Sequence, residues 1–160
     1  MTGVAKRITL LWGILFFLLT LFATYTFAGD FLTLITPEEA AQPDPPMIRT
    51  RGIKVTKAAG DGPQIKINSP NLEEPLQIPF LMDIAFEASP DKIIDFDTLS
   101  IKYIKLIAID LTGKIKPYLN DNRLMVKDVK VTQGKHRLQL FIAYTSGEKT
   151  TMEIVLNVEK

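Results

Sequence analysis

Cysteine is absent from the 160-residue chain. Disulfides, thiolate metal sites and a cysteine nucleophile are therefore excluded, and stability has to come from packing. Histidine occurs once, as His136, so no second imidazole exists to build a nitrogen-rich transition-metal site. Charge is missing from one long stretch: the 22 residues from Ile8 to Gly29 contain no Asp, Glu, Lys or Arg, and Lys6-Arg7 lie directly before them. No Gly-rich phosphate loop is present, Gly60-Asp61-Gly62 reading as a linker bend. Ser69, Ser89, Ser100 and Ser146 lack a G-x-S-x-G setting, and beyond the one His there is no base to activate them. Glu73-Glu74 and Asp95/Asp97 read as turn acids rather than as a glycosidase pair. The expectation is a protein that is not an enzyme, with no catalytic residue and no cofactor.

A dominant sign of charge is also lacking. The whole chain holds 19 basic and 18 acidic residues. Setting aside residues 1–28, which contribute Lys6 and Arg7 and no acid, leaves 17 against 18. Dispersed, nearly balanced charge provides no basic stripe for nucleic acid.

What is present is, first, the apolar run. A basic start, a long apolar stretch and a small-residue exit form the pattern of a secretory signal or an uncleaved anchor. Ile8, Trp12, Phe16 and Phe22 mark this candidate membrane segment, and Trp12 is the only Trp in the chain. As a helix, 22 residues reach roughly 33 Å, enough for a bilayer core of about 30 Å. That length favours an anchor, whereas Thr26-Phe27-Ala28 offers a small-x-small cleavage site. Residues 1–28 are therefore a signal peptide or a single transmembrane anchor, and in both cases the basic N-terminal flank directs the rest of the chain outward.

Residues 29–62 read as a Pro-rich linker. Phe31 to Ile35 is apolar, and Thr36-Pro37-Glu38-Glu39 resembles a helix start with Thr as N-cap, so one short helix is expected near 37–41 before Pro43, Pro45 and Pro46 stop it. Ile48 to Lys57 carries Arg49, Arg51, Lys54 and Lys57 and reads as solvated linker, or as a membrane-facing stretch if the anchor is retained.

From Pro63 the apolar period becomes two. Ile65 and Ile67 alternate with polar residues; Ile78, Phe80, Met82, Ile84 and Phe86 share one face, opposite Gln77, Pro79, Leu81, Asp83 and Glu87. Leu99, Ile101 and Tyr103 alternate again until Ile104-Lys105-Leu106 breaks the phase, as at a bulge or a join between strands, and Ile107, Ile109 and Leu111 continue. Lys114 to Leu119 suits one helical turn capped by Thr112. Leu124/Val126 and Val129/Val131 suggest two short strands, and Leu138–Tyr144 and Met152–Val158 close the chain as alternating strands. About seven short strands separated by Gly, Pro, Asn and Ser turns predict an all-β, antiparallel two-sheet sandwich over residues 63–160.

The segment Val131 to Val158 resembles the last hairpin of bacterial immunoglobulin-like (Ig-like) domains. Gly134, His136, Leu138, Leu140, Gly147, Ile154 and Val158 fall on that pattern, and Gly62-Pro63, Ser69-Pro70 and Pro79-Phe80 are similar to the first hairpin of such domains. The resemblance covers residues 62–160 and implies an Ig-like sandwich in which His136 seats a ring at a corner; it carries little about function. The whole chain also resembles small exported proteins of Gram-negative bacteria that join a Thr-Pro-Glu-Glu-Ala segment to this domain. That likeness implies a periplasmic location, free or anchored to the inner membrane.

Two surfaces remain as candidates. Asp91, Asp95 and Asp97 are hard oxygen ligands close together and suit Ca2+, but they lack the EF-hand Gly and terminal Glu, so solvated loop acids are the favoured reading. Leu81, Phe141, Ala143 and Val155 occupy outward phases, and together on one sheet they would form a docking patch; a misjudged register is the alternative. The leading expectation is an exported non-enzymatic binding or accessory module with a protein partner. The alternatives are a structural subunit of a membrane complex anchored by its N-terminal helix, and a Ca2+- or carbohydrate-binding module using the Asp91–Asp97 loop.

Overall fold

The computed structural model describes residues 31–46 and 60–159. Ile8, Trp12, Phe16 and Phe22, the cleavage-or-anchor question and the basic run Ile48–Lys57 lie outside the described residues. Among the described residues, no helix is long and apolar enough to cross a membrane.

Among the described residues, nine strands form two sheets: β1 (Leu32–Ile35), β2 (Gln64–Ser69), β3 (Phe80–Glu87), β4 (Ile94–Tyr103), β5 (Ile109–Asp110), β6 (Leu119–Asn120), β7 (Arg123–Val131), β8 (Gly134–Tyr144) and β9 (Lys149–Val158). The first sheet has the order β1-β7-β3-β2, with β6 also on β7; the second has the order β5-β4-β8-β9. All pairings are antiparallel except β1 with β7.

The period-two pattern explains why the sheets close on each other. Phe80, Met82, Ile84 and Phe86 point inward from β3, and Leu138, Leu140, Ile142, Met152, Ile154, Leu156 and Val158 answer from β8 and β9. Each such side chain removed from water contributes roughly 1.5–3 kcal/mol, which is the force that holds sheet to sheet. The all-β sandwich expected from the pattern is present.

Several local expectations are corrected. Part of the stretch read as linker belongs to the fold: Leu32–Ile35 is a strand of the first sheet, pairing with Val129–Val131. Its Leu34 and Ile35 are fully buried, and Leu34 lines a small internal void with Met82, Ile101, Ile115 and Leu138. The two short strands around Leu124 and Val131 are the single strand β7, whose register against β3 shifts between Met82 and Phe80. That extra residue is a bulge, which looks like a strand break in a period-two pattern.

Ile78 precedes β3 and is 45% exposed, so it does not share the inward face of Phe80. Ile107 is 76% exposed on the turn between β4 and β5, and the phase break at Ile104–Leu106 is the join between those strands.

The two short helices behave differently. Helix α1 (Pro37–Ala40) has the expected capping box: the Glu39 N–H donates to Thr36 Oγ1 and the Thr36 N–H donates to Glu39 Oε2. Helix α2 (Thr112–Ile115), followed by a 3-10 turn at Lys116–Tyr118, is not capped by Thr112. Thr112 Oγ1 instead accepts from the Ile101 N–H at 3.0 Å, and the Thr112 N–H donates to Asp110 Oδ1 at 2.8 Å. Thr112 begins the helix, but its side chain ties that start to β4 instead of capping it.

Candidate functional site

His136 is buried at the start of β8, where Thr132, just after β7, reaches it. Its Nε2 lies 2.7 Å from the Thr132 carbonyl oxygen, which can only accept, so Nε2 carries the proton. Nδ1 then accepts from the Tyr103 hydroxyl at 2.9 Å. Both ring nitrogens of the neutral imidazole are thus engaged. Burial pushes the His136 pKa below the usual value, the Thr132 carbonyl opposes that shift, and the Lys105 ammonium adds to it.

Lys105 is the second unusual group here. Its side chain is buried, with Nζ 5.2 Å from the Tyr103 ring centroid, donating to the Ala40 carbonyl at 2.9 Å and to Asp44 Oδ1 at 2.7 Å. Burial alone would lower its pKa, but Asp44 and Tyr103 outweigh that and the net shift is upward. The chain Asp44–Lys105–Tyr103–His136–Thr132 therefore ties the residues after α1 to the second sheet. Each polar group in it has a hydrogen-bond partner.

This end of the second sheet also carries a cleft of about 360 Å³, lined by Asp44, Pro45, Tyr103, Ile104, Lys135, Arg137, Glu153 and Val155. Its apolar lining comes from Pro45, Ile104 and Val155. Its rim is charged on both signs, Arg137 and Glu153 forming an ion pair at 2.7 Å. That combination suits a side chain or a short segment of a protein better than a charged small molecule.

The expected docking residues separate. Leu81 is 40% exposed on the outer face of the first sheet. Phe141 and Val155 are half-buried on the outer face of the second, where Phe141 pairs with Thr151 and Val155 with Arg137, and Ala143 is buried. Leu81 therefore cannot belong to one patch with the others. Val155 lines the cleft just described, and Phe141 lines a separate shallow depression with Ser100 and Gln139.

The structure does not gather the three aspartates into a ligand shell. Asp91 occupies a turn with φ of 65°, while Asp95 and Asp97 belong to β4, where the register against β8 shifts. Asp95 Oδ1 accepts from the Asp97 N–H at 3.0 Å, and Asp97 pairs with Lys116 at 3.3 Å. Among the described residues, no three Asp, Glu or His side chains converge as a metal site would require.

Asp83 is the acid that the sequence placed facing solvent and the structure buries. It is 5% exposed on the outer face of β3 because Arg123 covers it, with Nε to Oδ1 at 2.7 Å and Nη2 to Oδ2 at 2.5 Å. The Arg123 guanidinium holds its carboxyl below the usual carboxylate range. Lys105 and the Asp44 side of the cleft were the features sequence reasoning missed. One signal existed, a lysine inside the apolar run Ile104-Lys105-Leu106, and it is equally consistent with a phase break.

No family model, no curated protein and no solved structure matches this chain.

Proposed function

We propose that the protein is an exported, non-enzymatic Ig-like module that binds a protein partner, in the periplasm or on the periplasmic face of the inner membrane. The observation that carries this reading is the cleft at the end of the second sheet, with apolar Val155, Ile104 and Pro45 inside a rim of paired charges. Export is supported by the uncharged run Ile8–Gly29 behind Lys6-Arg7. The Ig-like assignment is supported by the two-sheet sandwich together with the Gly134–Val158 hairpin pattern.

Two measurements test it. Fractionation of the native protein should place the domain in the exported fraction, with an intact mass that starts at Gly29 or retains the apolar run; a cytosolic domain overturns the reading. A photo-crosslinking residue at Val155 should give one discrete intermolecular adduct in cells, while the same residue at Leu81 gives none. Equal adducts from both positions would sink the assignment of the cleft.

A second reading, a subunit of a membrane complex held by an uncleaved N-terminal helix, is favoured by one feature of the chain. The apolar run ends at Gly29 and β1 begins at Leu32, so only Asp30 and Phe31 intervene. Retention of residues 8–28 in the native mass separates this reading from a free periplasmic module.

A further inference from the structure

Three buried side chains meet at one end of the second sheet, and two of them are basic. The Tyr103 hydroxyl donates to His136 Nδ1 at 2.9 Å, while Lys105 Nζ lies 5.2 Å from the Tyr103 ring centroid. Exposure is 2% for Tyr103, 7% for Lys105 and 3% for His136, so any charge here is held against a desolvation cost. With its Nε2–H given to the Thr132 carbonyl at 2.7 Å, the neutral ring presents Nδ1 to the hydroxyl as a bare acceptor. A further proton on the ring lands on Nδ1. Nδ1–H and the Tyr103 O–H then point at each other, and relief requires the hydroxyl to turn its own proton away. The turned hydroxyl stands between an imidazolium and an ammonium.

The groups that face the imidazole come from separate parts of the chain. β4 supplies the Tyr103 hydroxyl, the turn after β7 the Thr132 carbonyl, the join after β4 Lys105, and the segment after α1 Asp44. Leu156, opposite on β9, is apolar. Burial disfavours the imidazolium most, the Thr132 carbonyl favours it, Lys105 disfavours it and Asp44 favours it. Of these groups Lys105 yields most easily. Tyr103 and His136 are strand residues, whereas the ammonium rides on a flexible four-carbon stem. The Asp44 side chain is 77% exposed, so water already solvates the carboxylate that Lys105 would leave.

What Lys105 holds is the stretch that follows α1. Its Nζ donates to the Ala40 carbonyl at 2.9 Å and to Asp44 Oδ1 at 2.7 Å, and the neighbouring Leu106 N–H donates to the Pro43 carbonyl at 2.9 Å. Pro43, Pro45 and Pro46 have no N–H to give to a ladder, so residues 42–46 depend on Lys105 and Leu106 for their attachment. Helix α1 is held separately, by Lys114 on Glu39. Loss of the Lys105 contacts therefore frees residues 42–46 without undoing α1 or either sheet. Asp44 and Pro45 line the cleft with Arg137 and Val155, so that wall moves with them.

We propose that Asp44, Lys105, Tyr103 and His136 form a proton-operated clasp: neutral His136 keeps residues 42–46 on the second sheet, and a proton on His136 displaces Lys105 and frees them. The clasp is a property of this chain alone and stands whether or not the cleft takes a partner. Because the buried ring resists the proton, the clasp is closed above about pH 6.5 and opens as pH falls through the folded value. The test is NMR on the full native chain, in detergent if the apolar run is retained, following the His136 ring and amide hydrogen exchange against pH. Protection of the Leu106 amide, corrected for intrinsic exchange, should fall roughly tenfold or more at the pH where His136 takes its proton, while residues 138–142 of β8 keep theirs. His136→Phe should leave Leu106 protected across the range. Lys105→Met should remove that protection at every pH and raise the pH at which His136 titrates. Four outcomes overturn the proposal: Leu106 protection that survives protonation of His136, an equal fall in β8, the same fall in His136→Phe, which would assign release to the Asp44 carboxylate, or an unmoved His136 titration in Lys105→Met.

Discussion

Leu34 carries more of the fold than its place in an apparent linker suggests, because its side chain is fully buried in the core between the sheets, lining the same internal void as Met82, Ile101 and Leu138. Leu34→Ala should lower the unfolding free energy by about 2–5 kcal/mol in urea denaturation, through lost transfer energy and a residual cavity. Gly62 is required for a different reason. A Cβ there would stand 2.4 Å from the Lys149 carbonyl carbon, which is backbone and cannot swing aside. Gly62→Ala should therefore lower the urea midpoint and speed amide exchange at the Lys149 end of β9.

His136 sets a pH dependence. Its folded pKa lies below the free value of about 6.5, so on acidification the unfolded chain takes the proton first. The contribution is full above about pH 6.5 and is lost as pH falls through the folded value. Urea midpoints measured against pH should decline in that window for the parent chain and stay flatter for His136→Phe. Glu148, held down to about 2 chiefly by Lys92 and also by Ser146, titrates in a lower window: its contribution is present above about 4.5 and is lost as pH falls toward 2. A decline confined to that lower range would overturn the His136 contribution.

At the scale of elements, β1 and α1 hold to the sandwich through side chains as well as through the parallel ladder. Lys114 on α2 donates to both Glu39 oxygens at 2.8 Å and to the Leu34 carbonyl at 3.1 Å, and the Glu39 carboxylate also closes the capping box. Burial raises the Glu39 pKa, but the Lys114 and Thr36 hydrogen bonds outweigh it and the net shift is downward. Lys114→Met should loosen residues 31–46 selectively, seen as faster exchange of the Ala40 and Ala41 amides with β8 and β9 unchanged; uniform loosening would mean that α1 is not a separable latch.

The capping box was legible because all of its atoms come from four consecutive residues. The alternating faces of β3, β8 and β9 were legible because each strand is long and buries one side. The strand at Leu32–Ile35 was not, since four apolar residues before a proline declare no period, and their partner Val129–Val131 is brought in only by folding. The two-residue strands β5 and β6 are too short for any period to register.

At the scale of the whole molecule, the native N-terminus decides between the two forms of the proposed module. Export with cleavage should leave a mature chain starting at Gly29, just ahead of β1, and intact-mass measurement distinguishes that from retention of the apolar run. By itself the sequence determined the all-β class, the two-sheet closure and the short capped helix, because those follow from local periodicity and from atoms adjacent along the chain. Only the tertiary structure decided that Leu81 stands apart from Phe141 and Val155, that Asp83 and Lys105 are buried with partners, and that the three loop aspartates do not converge. Those outcomes depend on which strands become neighbours and how register shifts at bulges turn a side chain from one face to the other, and such long-range pairings leave no local mark on the residues they join.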